Sequence, residues 1–141
     1  MSERVALVTG STSGIGAATA RRLVRDGYRI ALHSRSSAET GKRMAAELPG
    51  ASYHQADLGD EAALRGLVAD VLKQQGRLDV LINNAGESAR IAHTDLKAAT
   101  PAVWRRMLEI NLIAPFVLIA EAETALRMSA EGGRPASVVN I

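Results

Sequence analysis

The sequence predicts an α/β protein with a doubly wound parallel sheet, strand order 3-2-1-4-5, and helices on both faces. Two observations carry this prediction. Short apolar runs alternate with helix-length segments in the order βαβαβαβαβ, a pattern that implies parallel strands joined by right-handed crossovers. The first apolar run also ends in a glycine-rich turn that leads directly into a helical pattern.

The first three elements are marked by apolar runs and a glycine. Val5–Val8 is predicted to be the first strand, and Ile15–Asp26 the first helix. Gly27 follows as the C-terminal cap of that helix. Tyr28–His33 is then the second strand.

Capping residues and turns divide the middle of the chain. Ser36 and Glu39 have capping-box spacing and predict a helix that runs to Leu48, where Pro49-Gly50 stops it. The elements that follow are a third strand at 51–55, a helix from Asp60 as cap to Gln75 with Gly76 closing it, and a fourth strand at 78–82.

The last third of the chain is dominated by one long helix. Residues 83–99 are predicted to be a loop with a short helical turn. Thr100 is expected to cap the long helix, with Pro101 at its first position and its end near Met128. A turn at 131–135 and a fifth strand at 136–141 complete one domain that comprises residues 1–141.

Composition excludes several classes of protein. The 141 residues are 47% hydrophobic but only 3% aromatic, so aliphatic side chains must fill the core. The net charge of +2 without a basic cluster argues against a nucleic-acid partner. The absence of cysteine excludes disulfides and thiolate metal sites, and three distant histidines give no metal-ligand spacing. No apolar run approaches the roughly 20 residues of a membrane span, and we expect a soluble, cytoplasmic protein.

The turn after the first strand is the strongest functional signal. Gly10 allows a tight turn, Gly14 lets the backbone approach a pyrophosphate, and Gly16 lets the helix pack against its strand. The helix N-terminus then faces the phosphates. The alternative is an ordinary turn rich in small residues. Our candidate coenzyme-binding residues in this turn are Gly10, Ser11, Ser13, Gly14, Ile15 and Gly16.

The end of the second strand predicts which coenzyme is bound. Arg35 lies about where an acidic residue would bind the ribose hydroxyls of NAD, and residues 29–38 contain no Asp or Glu. A guanidinium with neighbouring hydroxyls suits the extra phosphate of NADP. NAD is the less favoured coenzyme, and Arg35 as a plain surface residue is the alternative. The candidate residues are His33, Ser34, Arg35 and Ser36.

The ends of the next two strands supply further candidates. Asp57 could accept a hydrogen bond from the adenine amino group while Leu58 covers the ring, or Asp57 could be a turn residue. After the fourth strand, Asn83 is followed by Asn84, Ala85 and Gly86. These small residues would let a coenzyme lie against the backbone, and the asparagines could tie strands together. A plain turn is the alternative.

The long helix contains a proline that cannot donate a hydrogen bond. Pro115 should therefore disturb the helix and free the backbone carbonyl of Asn111. That carbonyl could hold a water molecule, or the proline could be a simple kink.

These residues together resemble the short-chain dehydrogenase/reductase family. The motifs that carry the resemblance are Thr9-Gly10 with Gly14-Ile15-Gly16, Asp57, Asn83 to Gly86, and Asn111. The resemblance implies a Rossmann-type fold, an adenine contact at Asp57, and a catalytic role for Asn111, whose carbonyl would hold a water in a proton relay. It also implies a homodimer or homotetramer with the long helix in one interface. The segment 32–36 is similar to the NADP segment of pteridine-reductase-like members.

One part of the family's active site has no counterpart here. The family places a serine beyond the fifth strand and then a Tyr-x-x-x-Lys helix, whereas Tyr28 is followed four positions later by Leu32 and Tyr53 by Asp57. We therefore expect the NADP-binding half of an oxidoreductase acting on a small-molecule carbonyl, imine or alcohol, inactive by itself. Glu87 to His93 would line part of the substrate pocket. A non-catalytic nucleotide-binding or scaffolding module and a non-functional fragment are the alternatives.

Overall fold

The computed structural model describes residues 3–141 and contains a five-stranded parallel sheet. The strand order is β3-β2-β1-β4-β5, as the sequence predicts. The strands are β1 (Arg4–Val8), β2 (Tyr28–Ser34), β3 (Ser52–Gln55), β4 (Val80–Asn83) and β5 (Ser137–Asn140). The helices are α1 (Gly14–Arg25), α2 (Ala38–Glu47), α3 (Glu61–Gln75), α4 (Pro101–Leu108) and α5 (Ala114–Glu131).

The core lies on both faces of the sheet because successive side chains of a strand point to opposite sides. On one face Leu7 and Leu81 pack beneath α3 and α5, and on the other Val8 and Ile30 pack beneath α1 and α2. Aliphatic side chains fill both layers, as the composition predicts. Within residues 3–141, none of the helices combines the length and apolar character needed to cross a bilayer.

Local capping signals place most helix ends correctly. Gly27 follows α1 with a φ of 87°, and Gly76 closes α3 with a φ of 78°, both in the left-handed region that favours glycine. Asp60 caps α3 by accepting hydrogen bonds from the backbone N–H groups of Ala62 and Ala63. A 3-10 turn at Leu96–Ala98 confirms the short helical turn expected in the loop.

The predicted start of α2 is wrong. Ser36 does not cap this helix, which begins one residue later with Ser37 at the N-cap position. The reason is that β2 extends to Ser34, whose hydroxyl accepts the hydrogen bond from the Ser37 N–H at 3.1 Å. Ser36 is left exposed in the bend between strand and helix.

The long helix is not continuous. Thr100 and Pro101 start α4 as predicted, but a π-helical turn at Glu109–Ile113 separates α4 from α5. In this turn the N–H of Ala114 donates to the carbonyl of Glu109, five residues back. Pro115 has no N–H for the Asn111 carbonyl, so a wider turn forms at the place where the sequence predicts a disturbance.

Candidate functional site

A groove of about 460 Å³ lies at the carboxyl ends of β1, β2 and β4, where parallel α/β sheets bind ligands. It brings together candidate residues from all the predicted coenzyme-binding segments. Those that line it are Gly10, Ser13, Gly14, Ile15, His33, Ser34, Arg35, Ser36, Asp57, Leu58, Asn84, Ala85 and Gly86. Ser11, Gly16 and Asn111 do not line this groove.

The glycine turn forms one wall of the groove. Gly10 and Gly14 adopt φ values of 61° and 53°, which L side chains rarely adopt. A Cβ on Gly14 would meet nothing within 4 Å, so the backbone is open on that side. A Cβ on Gly16 would overlap the Gly10 carbonyl oxygen and the Asn84 amide nitrogen. Gly16 therefore allows the close approach of α1 to the turn, as the sequence predicts.

The N-terminus of α1 opens toward the same groove. Ser13 occupies the N-cap position but makes no side-chain hydrogen bond to the first turn. The first helical hydrogen bond is from the Ala17 N–H to the Ser13 carbonyl, which leaves the N–H groups before it without a partner in the helix. These amides and the positive end of the helix suit an anion.

Buried contacts fix the turn to the neighbouring strand β2. The backbone N–H of Ser11 donates to the carbonyl of His33, and the His33 N–H donates to the Ser11 hydroxyl. The His33 ring accepts from the Gly10 N–H at Nδ1, 3.1 Å away. Ser11 is thus buried against β2, which explains why it does not line the groove.

Asn84 ties β4 to the glycine turn. Its side-chain amide donates to the carbonyl oxygens of Thr9 and Gly10 at 2.9 and 3.1 Å. The Thr9 hydroxyl in turn accepts from the N–H groups of Asn84 and Ala85. Asn83 likewise joins β4 to β5 through the side chain of Asn140. The expectation that these asparagines tie strands together is confirmed.

Charged side chains meet across the groove. Arg35 and Arg106 both contact the Glu87 carboxylate oxygen Oε2, at 3.1 and 3.0 Å, and Arg106 also lies 3.5 Å from Asp57. The hydrogen bond from Arg106 holds the pKa of Glu87 below its ordinary value. The groove thus presents two guanidinium groups around one carboxylate.

Asp57 combines a turn role with a place in the groove. Its Oδ1 accepts from the Gly59 N–H at 2.9 Å, and this hydrogen bond is the main reason that the pKa of Asp57 is lowered. The turn interpretation of Asp57 is therefore correct as far as Oδ1 is concerned. Leu58 is buried in the core and contributes its surface to the groove wall.

Asn111 lies beside a second cavity of about 430 Å³, which also contacts Ala85, Gly86 and Asn140. Its side chain clasps the backbone of Glu87: the Glu87 N–H donates to Oδ1 at 2.9 Å, and Nδ2 donates to the Glu87 carbonyl at 2.8 Å. Residues 88–93, expected near the substrate, line neither this cavity nor the groove.

Sequence reasoning missed several residues of the groove. Arg106 and Ile110 lie four positions apart on adjoining helical segments and both face it, a spacing that places side chains on one helix face. The four-residue spacing of Arg106 and Ile110, which ends directly before Asn111, was the available signal. The other unpredicted wall residues are Thr12, Ser37 and Glu87, the last of which was expected in the substrate pocket.

Comparison with known proteins identifies the family. The family model described as short chain dehydrogenase matches residues 4–141. A putative ketoacyl reductase 2 of the granaticin polyketide synthase from Streptomyces violaceoruber is 48% identical over 137 residues, which are 97% of this chain and 53% of that protein. The rhamnolipid-biosynthesis 3-oxoacyl-[acyl-carrier-protein] reductase of Pseudomonas aeruginosa is 35% identical over 98% of this chain and 54% of its own length.

Solved structures agree with this result. The NADP active-site complex of Pseudomonas aeruginosa RhlG matches with a TM-score of 0.86 and 33% identity, over 99% of this chain and 54% of that one. A 3-ketoacyl-(acyl-carrier-protein) reductase from Brucella melitensis in complex with NADH matches with a TM-score of 0.87 and 26% identity, over 97% and 55%. The chain therefore spans about half the length of these relatives, and it belongs to the short-chain dehydrogenase/reductase family of oxidoreductases.

Proposed function

We propose that the chain binds NADP in the groove and is the coenzyme-binding part of a short-chain oxidoreductase. The observation that carries the proposal is the position of Arg35 on the same groove as the open glycine turn. The nicotinamide coenzyme supplies hydride when bound, and the protein supplies orientation and the proton.

The residues present fit a dinucleotide. The open backbone at Gly14 and the first-turn amides of α1, which the Ser13 side chain does not cap, would hold the pyrophosphate. Arg35, with the hydroxyls of Ser34 and Ser36, would hold the additional phosphate. Asp57 keeps its second carboxylate oxygen for the adenine amino group, and Leu58 would lie against the ring.

The choice of NADP over NAD rests on charge. Two guanidinium groups, from Arg35 and Arg106, reach the groove, whereas an acidic residue at the end of β2 would be expected for NAD. Neighbours in complex with NADP support this choice, although the Brucella melitensis neighbour is in complex with NADH.

We propose a carbonyl compound as the substrate. A β-ketoacyl chain is the first candidate because two relatives are named as a ketoacyl reductase and a 3-oxoacyl reductase. Asn111 would serve the proton relay through its backbone carbonyl. The 141 residues contain no tyrosine followed four positions later by lysine, so the proton donor would have to come from additional polypeptide. We accordingly propose that this chain alone binds coenzyme without turnover.

Calorimetric titration tests the proposal. We expect NADP⁺ to bind the chain more tightly than NAD⁺, and no uptake of either by a folded sample would contradict it. A turnover assay with a β-ketoacyl thioester, made on the chain and on any longer product of the same gene, would then separate a reductase from the second candidate. That second candidate, a non-catalytic nucleotide-binding module, predicts binding without turnover in both samples.

Self-association is also proposed. Trp104, Leu108, Leu112 and Phe116 of the α4–α5 segment are exposed apolar side chains, from 46% to 69% accessible, and such surfaces typically mark interfaces. A homodimer or homotetramer would bury them, and sedimentation measures its mass. The cytoplasmic location expected from the sequence stays a prediction.

A further inference from the structure

We propose that His33, as the neutral imidazole with its proton on Nε2, is a positioning residue that holds the glycine turn in its phosphate-binding shape, so that protonation of this ring weakens coenzyme binding. The inference rests on the coenzyme binding proposed above. It assigns to His33 an action through Gly10 and Ser11 instead of a direct contact with the ligand.

The hydrogen bonds of the ring determine its tautomer. The Gly10 N–H donates to Nδ1 at 3.1 Å, so Nδ1 must carry a lone pair and no proton. Nε2 then carries the proton and donates to the carbonyl of Ala56 at 3.0 Å. The residue is only 1% exposed, so water is not positioned to replace either partner.

The ring thereby connects two walls of the groove. On one side it holds Gly10, whose φ of 61° turns the chain into α1. On the other side it holds Ala56, the residue before Asp57 and Leu58. The backbone of His33 adds two hydrogen bonds to Ser11, at 2.9 and 2.8 Å. Two successive residues of the turn are thus fixed from β2, before α1 presents its first amides to the groove.

Protonation of the ring would break this arrangement. A proton on Nδ1 would point at the Gly10 N–H, and two donors would face each other across 3.1 Å. Burial lowers the pKa of His33, the hydrogen bond to Ala56 opposes this shift, and the charge of His54 on the paired strand β3 lowers the pKa further. The charged groups that line the same groove are Arg35, Asp57, Glu87 and Arg106. The ring is therefore neutral at pH 7.

The sign of the pH effect follows from the lowered pKa. The neutral ring is favoured in the folded chain. Its contribution to stability is therefore complete above pH 6.5, the ordinary pKa of histidine. This contribution is lost as the pH falls through the lower pKa that His33 has in the folded chain. We expect coenzyme affinity to decrease as the pH falls through the pKa of His33 in the folded chain, which lies below 6.5.

Two amide variants separate the ring's two hydrogen bonds. His33→Asn places an amide oxygen near the position of Nδ1 and keeps an acceptor for Gly10. His33→Gln places its amide near Nε2, keeps a donor for Ala56, and leaves the Gly10 N–H without an acceptor. Neither side chain titrates between pH 5 and 8.

The experiment is calorimetric titration with NADP⁺ and NAD⁺ from pH 5 to 8. At pH 7.5 we expect His33→Gln to bind NADP⁺ about tenfold more weakly than wild type, the usual cost of one unsatisfied buried group, and His33→Asn to remain within about threefold. Phosphate monoesters titrate with a pKa near 6. Wild type and His33→Asn share this titration of the ligand. The difference between their pH profiles therefore reports the titration of the His33 imidazole. NAD⁺, which lacks the 2′-phosphate, should show the same difference.

Controls and contrary outcomes distinguish the two proposals. His54→Gln, which removes the neighbouring titrating ring, should leave the acid loss of affinity in place. If the wild type binds coenzyme and His33→Gln binds it with the same affinity, the role of His33 is overturned but the proposed function stands. The same conclusion follows if wild type and His33→Asn have equal pH profiles. No wild-type binding of either coenzyme overturns the proposed function and this inference with it.

A measurement on the wild type guards against a variant that fails to fold. Nitrogen-15 NMR of the imidazole distinguishes the two neutral tautomers directly. A proton on Nε2 and a Gly10 amide that shifts with the His33 titration are expected. A proton on Nδ1 at pH 7.5 overturns the inference without any variant.

Discussion

The guanidinium of Arg35 lies 3.1 Å from the carboxylate of Glu87, across the groove between β2 and β4. The two residues are 52 positions apart in the sequence. Glu87 is held there by Asn111, which clasps its backbone on both sides. The groove therefore provides an internal anion for the arginine on which the choice of NADP rests.

The first prediction concerns Arg35. Arg35→Asp should weaken NADP⁺ binding at least tenfold and shift the preference toward NAD⁺, because a charge-assisted contact to phosphate becomes a repulsion. Calorimetry with both coenzymes measures the ratio. Arg25→Asp, an exposed position outside the groove, makes the same change in net charge and should leave the ratio unaltered. Unchanged selectivity in Arg35→Asp would defeat the assignment.

The second prediction concerns Glu87. Glu87→Gln removes the charge that pairs with Arg35 and Arg106, so both become available to a phosphate and NADP⁺ should bind several-fold more tightly. The gain should shrink at high salt. Glu123→Gln removes a carboxylate from an exposed pair on α5 and serves as the control. Weaker NADP⁺ binding in Glu87→Gln would show that the carboxylate assists the ligand instead of competing with it.

A pair of glycine substitutions tests the packing of α1. Gly16→Ala should lower the free energy of unfolding by about 1–3 kcal/mol, because its Cβ would overlap the Gly10 carbonyl and Asn84. Gly66→Ala, inside α3 with no atom within 4 Å of its Cβ, should raise that energy by roughly 0.5–1 kcal/mol. Urea denaturation compares them. Equal effects would mean that the close approach at Gly16 does not constrain the fold.

The fourth prediction concerns acid stability. Asp79 is fully buried and accepts from the Val5 N–H, with Arg77 beside it. Burial alone would raise its pKa, but the Arg77 and Val5 hydrogen bonds leave it lowered overall. The stabilising contribution of Asp79 is therefore present above pH 3.8, the ordinary pKa of aspartate. It is lost as the pH falls through the lower pKa that Asp79 has in the folded chain.

Asp79→Asn should cost about 2 kcal/mol at pH 7, and the difference from wild type should shrink below about pH 4. Denaturant unfolding across pH measures it. Asp26→Asn, which alters the exposed pair with Arg22, should change the unfolding energy by less than about 0.5 kcal/mol. A pH-independent difference for Asp79→Asn would contradict the predicted titration.

Local signals explain why much of the fold could be predicted. The caps at Asp60 and Gly76 and the start at Thr100 depend on residues within one helical turn, so the sequence reveals them directly. Ser36 misled the prediction because its spacing to Glu39 is correct, while Ser34 on the neighbouring strand supplies the hydrogen bond that decides the boundary.

The sequence by itself determined the alternation of strands and helices, the strand order that follows from it, and the glycine turn, because each depends on short-range patterns and on backbone conformations open only to glycine. The tertiary structure alone decided that Arg106 shares a carboxylate with Arg35 and that His33 holds the Gly10 amide. These contacts join residues that are distant in the chain. Their geometry exists only after the strands have paired and the helices have packed on the sheet.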